Sequence, residues 1–251
     1  MPNGSRPLIA PMTDEQRRKE ETISRKLRDA ESVAVRDILA QAPTPDGLQE
    51  VVENASFFAE AMTLKFRDPA TPKVACKAGC YWCCFQSVPM SAPEAFRIVR
   101  LLSSEVMTAT RPAVINRLRK LDKATRGLTP KARAKLHLPC AFLADGRCTI
   151  YSVRPLACNE FTSFDVKDCK RGQQIGFKPG SVIHEKARML VFYAVQQGLN
   201  DGLREALPTT DTTPLELTAA VLSVLDSADA EATWIAGEKV FTKAHAASGR
   251  T

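Results

Sequence analysis

Thiols crowd one stretch of this chain, Cys76-Lys-Ala-Gly-Cys80-Tyr-Trp-Cys83-Cys84. Cys140, Cys148, Cys158 and Cys169 follow, and none of the 8 cysteines lies outside that interval. Thiolates are soft anionic ligands that select zinc, iron–sulfur clusters or Cu(I). Eight of them saturate two tetrahedral zinc ions, or hold one four-iron cluster with four to spare. A cysteine's ordinary role is that of a small buried hydrophobe, but such residues scatter along a chain, whereas these converge. The expected metal ligands are therefore Cys76, Cys80, Cys83, Cys84, Cys140, Cys148, Cys158 and Cys169.

Spacing bears on how they meet. Positions 76, 80, 83 and 84 share one face if the segment is helical. Gly79 weakens a helix at its start and would leave Cys76 in the preceding loop. In other backbones Cys83 and Cys84 diverge, so they would serve two metals or leave one spare. Residues 140–151 read as a β-hairpin around Asp145-Gly146. A two-residue loop pairs Leu143 with Cys148 and turns Cys140 to the opposite face. A three-residue loop from Ala144 to Gly146 pairs Phe142 with Cys148 and points both thiols the same way. A shared centre calls for the second loop, which is the one expected.

Other side chains near the thiols have weaker claims. His137 precedes Cys140 by three residues and is a candidate mixed ligand, though a connector histidine is the plainer reading. His184, expected on a helix, and His245, in the tail, rank below it. Arg154 and Lys77 are candidates to offset thiolate charge, with ordinary surface salt bridges as the alternative. Tyr81, Trp82 and Phe85 either shield the site from water or simply pack.

The residues quoted so far, Cys76-x3-Cys80-x2-Cys83-Cys84, are followed by Pro139-Cys140-Ala-Phe142-Leu143…Gly146-x-Cys148-Thr-Ile150-Tyr151-x-x-Arg154-Pro155-x-x-Cys158. This order resembles the bacterial YkgJ-like cysteine-cluster family over roughly residues 74–162. The resemblance implies a zinc- or iron-chelating domain. Some relatives are linked to flagellin lysine methylation. The family pattern often has arginine after the cysteine equivalent to Cys158, where this chain has Asn159. Cys169 lies at the edge of the pattern.

The frame that must position these segments reads as mainly α: a helical domain enclosing a cysteine-rich metal site with one small β-hairpin. Residues 1–12 are expected to be disordered and 13–72 to form a helical arm. The metal-binding domain is expected over 73–180. Helices over 181–243 pack on the same body, and 244–251 form a disordered tail. Thr13-x-x-Gln16 and Ser91-x-x-Glu94 are capping boxes, and Thr44-Pro45 and Pro112 mark further helix starts. Loop residues are expected from Gly172 to Gly180, and a helix from 181. Thr213-Pro214-x-Glu216 is expected to cap another helix, and a last one falls near 229–243.

A hydrophobic content of 44% supplies a core without cross-links. No run reaches the roughly 18 apolar residues of a membrane span, and no signal-peptide h-region stands at the start. The expected location is the cytoplasm, where thiols stay reduced. The net charge of +7 falls on helix faces with no aromatic platform, which disfavours nucleic acid as a partner. Three functions remain. One is a metal-binding protein holding zinc or iron, an iron–sulfur cluster included. Another is an iron–sulfur-dependent enzyme, a protein lysine methylase or a radical-SAM-like enzyme, since Cys76-x3-Cys80-x-Trp82-Cys83 has the radical-SAM spacing. The third is a helical scaffold with a structural metal, whose arms bind a protein partner.

Overall fold

The computed structural model describes residues 12–41 and 43–246. The segments expected to be disordered lie outside them, except for Met12 and residues 244–246. Ten α-helices, two short 3-10 helices and four strands of two residues each make up the regular structure among the described residues. The helices are α1 (Asp14–Ala40), α2 (Pro45–Phe66), α3 (Ala92–Ser103), α4 (Arg111–Thr125), α5 (Pro130–Ala134), α6 (Leu156–Glu160), α7 (Val166–Gln174), α8 (Lys186–Ala206), α9 (Leu217–Leu225) and α10 (Ala230–Ile235). The strands β1 (Pro89–Met90) and β4 (Leu215–Glu216) form one antiparallel pair, and β2 (Leu143–Ala144) and β3 (Arg147–Cys148) the other. The architecture is thus mainly α with one small hairpin.

Helix starts follow the capping chemistry. Thr13 and Gln16 satisfy each other's backbone N–H at the head of α1. Thr44 caps α2 with Pro45 in its first turn. α8 begins at Lys186 rather than 181 and runs to Ala206. Residues 166–174 are helical, so the expected loop from Gly172 begins only after Gln174; the Asp165 carboxylate accepts the Lys167 N–H at the helix start. The residue capping α9 is Glu216, whose carboxylate accepts the N–H groups of Thr218 and Ala219.

α8 is the axis of the body. α1, α2 and α6 all lie against it. Its Gly198 and Gly202 allow α1 to approach closely: a Cβ on Gly202 would stand 2.6 Å from Val35 Cβ, and one on Gly198 2.7 Å from Glu31 Cβ. The buried face of α1 is Leu27, Glu31, Ser32, Val35 and Leu39. Glu31 is 1% exposed and neither carboxylate oxygen has a hydrogen-bond partner. Burial alone raises its pKa to about 7.

The rest of the core is built by α3, α4, α9 and α10. Phe96 packs edge-on against Trp234 at 5.7 Å and in a tilted pair with Phe241 at 5.7 Å. The chain after Phe241 returns to the body. Ala244 is fully buried, its carbonyl accepts the Glu216 N–H, and His245 bridges Leu215. Long-range pairing of Met90 with Leu215 brings the end of the cysteine segment beside α9, and the Leu217 N–H donates to Val88 O at 3.0 Å. No helix among the described residues is long and apolar enough to cross a membrane.

Candidate metal centre

Residues 76–84 form no helix. The segment is two successive turns: Cys80 N–H donates to Lys77 O at 3.0 Å, and Cys84 N–H to Tyr81 O at 2.9 Å. Gly79, at φ +85°, supplies the left-handed position of the first turn. The thiols are therefore gathered by turn geometry and by long-range bonds, not by one helical face. The chief long-range bond runs from Cys140 N–H to Cys84 O at 2.7 Å, which ties the two cysteine segments back to back.

The hairpin pairs Leu143 with Cys148 and Ala144 with Arg147. Its loop is the two residues Asp145 and Gly146, both with positive φ, and so the expected three-residue loop is not formed. That register was read as placing Cys140 and Cys148 on opposite faces. They nonetheless wall the same cavity. The alternation rule needs extended backbone, and the chain leaves it before Cys140: Leu143 N–H donates to Cys140 O at 3.0 Å across a turn. Thr149 then clamps the hairpin base, with its N–H and hydroxyl both donating to Phe142 O.

Apolar residues between the cysteines root each segment in the core. Phe142, Ile150 and Leu156 are each no more than 2% exposed. Glu94 fixes the start of α6, which carries Cys158. One carboxylate oxygen accepts the Leu156 N–H at 2.7 Å, and the other accepts the Ser91 N–H and hydroxyl. Burial raises the Glu94 pKa and these donors oppose the shift. Arg188 on α8 holds the other end, donating from Nε to Asn159 O at 2.8 Å. Arg117 on α4 likewise donates to Ala141 O at 2.7 Å.

The result is a cavity of about 530 Å³ walled by Cys80, Cys83, Cys84, Cys140, Cys148 and Cys158. All eight cysteines are free thiols. Cys76 and Cys169 stand outside that wall and meet at Ser163. Cys76 Sγ lies 3.9 Å from the Ser163 carbonyl, and Cys169 bonds the Ser163 hydroxyl. They are still close enough to Cys80 and Cys83 to feel their charge. Among the described residues, no group of three or more His, Cys, Asp and Glu side chains is already arranged to hold a metal ion. The thiols stand around a space instead of closing on a point.

Burial keeps most of these thiols protonated without metal. It pushes Cys140 up to about 12 and Cys169 to about 11, and raises Cys76, Cys148 and Cys158. Cys83 is the exception. The neighbouring Cys84 thiol donates to its sulfur and Arg154 adds positive charge, so Cys83 is lowered and Cys84 raised. Among the described residues Arg154 has no salt-bridge partner. Its guanidinium lies 4.0 Å over the Tyr151 ring and donates to Asn159 Oδ1 at 2.7 Å. Its Nε is buried without a hydrogen-bond partner. An orphaned cationic N–H on the wall of a thiol-lined cavity suits an anionic sulfur site, and the donor set suits zinc or iron.

The remaining candidates separate cleanly. Lys77 is exposed, and Asn159 engages Arg154. Tyr81 lies over the hairpin tip at Gly146 and stacks with Trp82 at 4.9 Å, so the aromatic pair covers one side of the turns. His137 is exposed beside Gln173, and His245 pairs with Asp211. His184 lines the cavity from the loop before α8, although sequence placed it on a helix and ranked it below His137. Glu160 and Met189 also line the cavity and had no signal in the sequence.

A family model named CxxCxxCC, with the description "Putative zinc- or iron-chelating domain", matches residues 75–175. That stretch is less than half of the chain but contains all eight cysteines and Arg154. No curated protein and no solved structure matches the chain. The region that supplies the thiols is therefore similar to a zinc- or iron-chelating domain, while helices α1, α2, α8, α9 and α10 lie outside the matched stretch.

Proposed function

We propose that this protein holds zinc or iron, as separate ions or as an iron–sulfur cluster, through its clustered cysteine thiolates. One observation carries the reading: six thiols from three separate segments wall one cavity beside a buried, incompletely bonded arginine. Cys80, Cys83, Cys84, Cys140, Cys148 and Cys158 form the inner set, and Cys76 and Cys169 complete the ligand supply at its edge. When bound, zinc supplies a fixed positive charge and iron a redox couple. The chain's part is to give up thiol protons as metal enters, with Cys83 the first to ionise and Arg154 offsetting the negative charge. Such thiols persist in a reducing compartment, which favours the cytoplasm.

Anaerobic purification followed by metal analysis and an absorption spectrum tests this. Iron with sulfide and a broad band near ~400 nm identifies a cluster. Colourless protein containing zinc identifies a structural or Lewis-acid ion. Metal-free, normally folded protein from an oxygen-free preparation sinks the reading.

A second reading, an iron–sulfur enzyme such as a protein lysine methylase, is favoured by the cavity itself. Val88, Phe142, Ile150, Phe161 and Leu217 line it beyond the thiols, giving a mostly apolar space of the size that takes a small molecule. It would not take a radical-SAM barrel form, because the described elements contain no repeated βα units.

A further inference from the structure

The geometry points to His184 as a nitrogen ligand of the centre, making it a mixed thiolate–imidazole site. This rests on the metal-binding reading above and goes beyond it, since that reading uses sulfur alone. His184 shares the cavity wall with the six inner thiols.

Its ring is held in one tautomer. Nδ1 lies 2.6 Å from Thr162 O. A carbonyl only accepts, so Nδ1 carries a proton, and in the neutral ring Nε2 keeps its lone pair. No partner for Nε2 exists among the described residues. A neutral ring with Nδ1–H on a backbone carbonyl and Nε2 free is the state in which histidine binds zinc or iron.

The ring is also fixed in direction. Phe161 packs edge-on at 4.5 Å. The Thr162 hydroxyl accepts the Glu185 N–H, so the residues flanking the ring on both segments are stapled together. The next residue, Ser163, holds Cys76 and Cys169. One short segment, 161–163, therefore sets the imidazole, two outer thiols and one cavity wall at once.

Charge favours this ligand as well. Each added thiolate brings a negative charge into a space whose described lining holds two guanidiniums, Arg147 and Arg154, against six thiols. Nε2 adds a donor without adding charge.

The test is X-ray absorption at the metal edge on anaerobically purified wild-type protein, with His184→Ala and His184→Gln alongside. Wild type is expected to show a nitrogen shell with imidazole scattering besides sulfur. His184→Ala is expected to lose it and to bind metal about 10–100-fold more weakly. Free imidazole should restore both the shell and the affinity in His184→Ala, which a merely structural histidine would not do. A sulfur-only shell in wild type overturns the inference even where a variant fails to fold. So does a variant with unchanged spectrum and affinity. Wild-type protein without zinc or iron overturns the metal-binding reading and this inference with it, and is distinguishable from a metal held by sulfur alone.

Discussion

Glu94 on α3 accepts the backbone N–H of Leu156 at 2.7 Å, across more than sixty residues of chain. The same carboxylate closes the capping box with Ser91. One buried side chain thus starts α3 and pins the N-terminus of α6, the helix that carries Cys158. Glu94→Ala leaves the Ser91 and Leu156 N–H groups unpaired in the core. A loss of about 2–4 kcal/mol in unfolding free energy is expected. Bound metal should fall with it, because Cys158 loses its fixed position. Denaturant titration and metal analysis of the variant check both; undiminished metal content would show that α6 is held by other means.

The seam between α1 and α8 depends on two residues without side chains. A methyl group at Gly202 would press on Val35, and one at Gly198 on the Arg28 carbonyl and Glu31. Gly198→Ala and Gly202→Ala are each expected to cost about 1–3 kcal/mol through overpacking. Thermal melts read this directly. Normal stability in both variants would mean that the helices separate at no cost.

Glu31 makes stability depend on pH in a stated direction. Its folded pKa is raised to about 7 from an ordinary 4.5. The folded state therefore binds the proton more tightly than the unfolded chain. Its contribution is complete below pH 4.5 and is lost as pH rises through 7. Glu31→Met removes the buried carboxyl. Relative to wild type it should gain up to ~3 kcal/mol at pH 8 and little at pH 4. Paired urea titrations across that range measure the difference; a gain independent of pH would assign the effect to packing instead.

The two tiers of thiols should separate on substitution. Cys140→Ser or Cys158→Ser removes an inner donor held by the fold and is expected to empty the centre. Cys169→Ser alters an outer position against Ser163 and should weaken metal binding by about 10–100-fold without abolishing it. Metal stoichiometry after gel filtration distinguishes them. Equal losses at all three positions would place Cys169 in the inner set.

Much of the site was legible in sequence because the information is local. Thiol type and density name the ligand chemistry wherever the chain goes. Thr13, Thr44 and Ser91 begin their helices because an orphan N–H needs an acceptor within three residues. Phe142, Ile150 and Leu156 were not singled out as core residues from the sequence, although they anchor the cysteine segments as buried apolar side chains. The hairpin was legible too, but the inference from its register was not safe. Side-chain alternation holds only in extended backbone, and this hairpin is two residues long on each side.

What only the tertiary structure decided involves partners distant in sequence. The Cys140 N–H finds Cys84 O, Met90 pairs with Leu215, and His184 joins the wall of the thiol-lined cavity while His137 turns to solvent. Glu31 is buried because α8 offers glycines opposite it, a fact that the pattern of α1 cannot contain. A sequence states what each residue can bond to. Which of many equally capable groups it meets depends on how the helices pack, since only the folded arrangement satisfies all of them together.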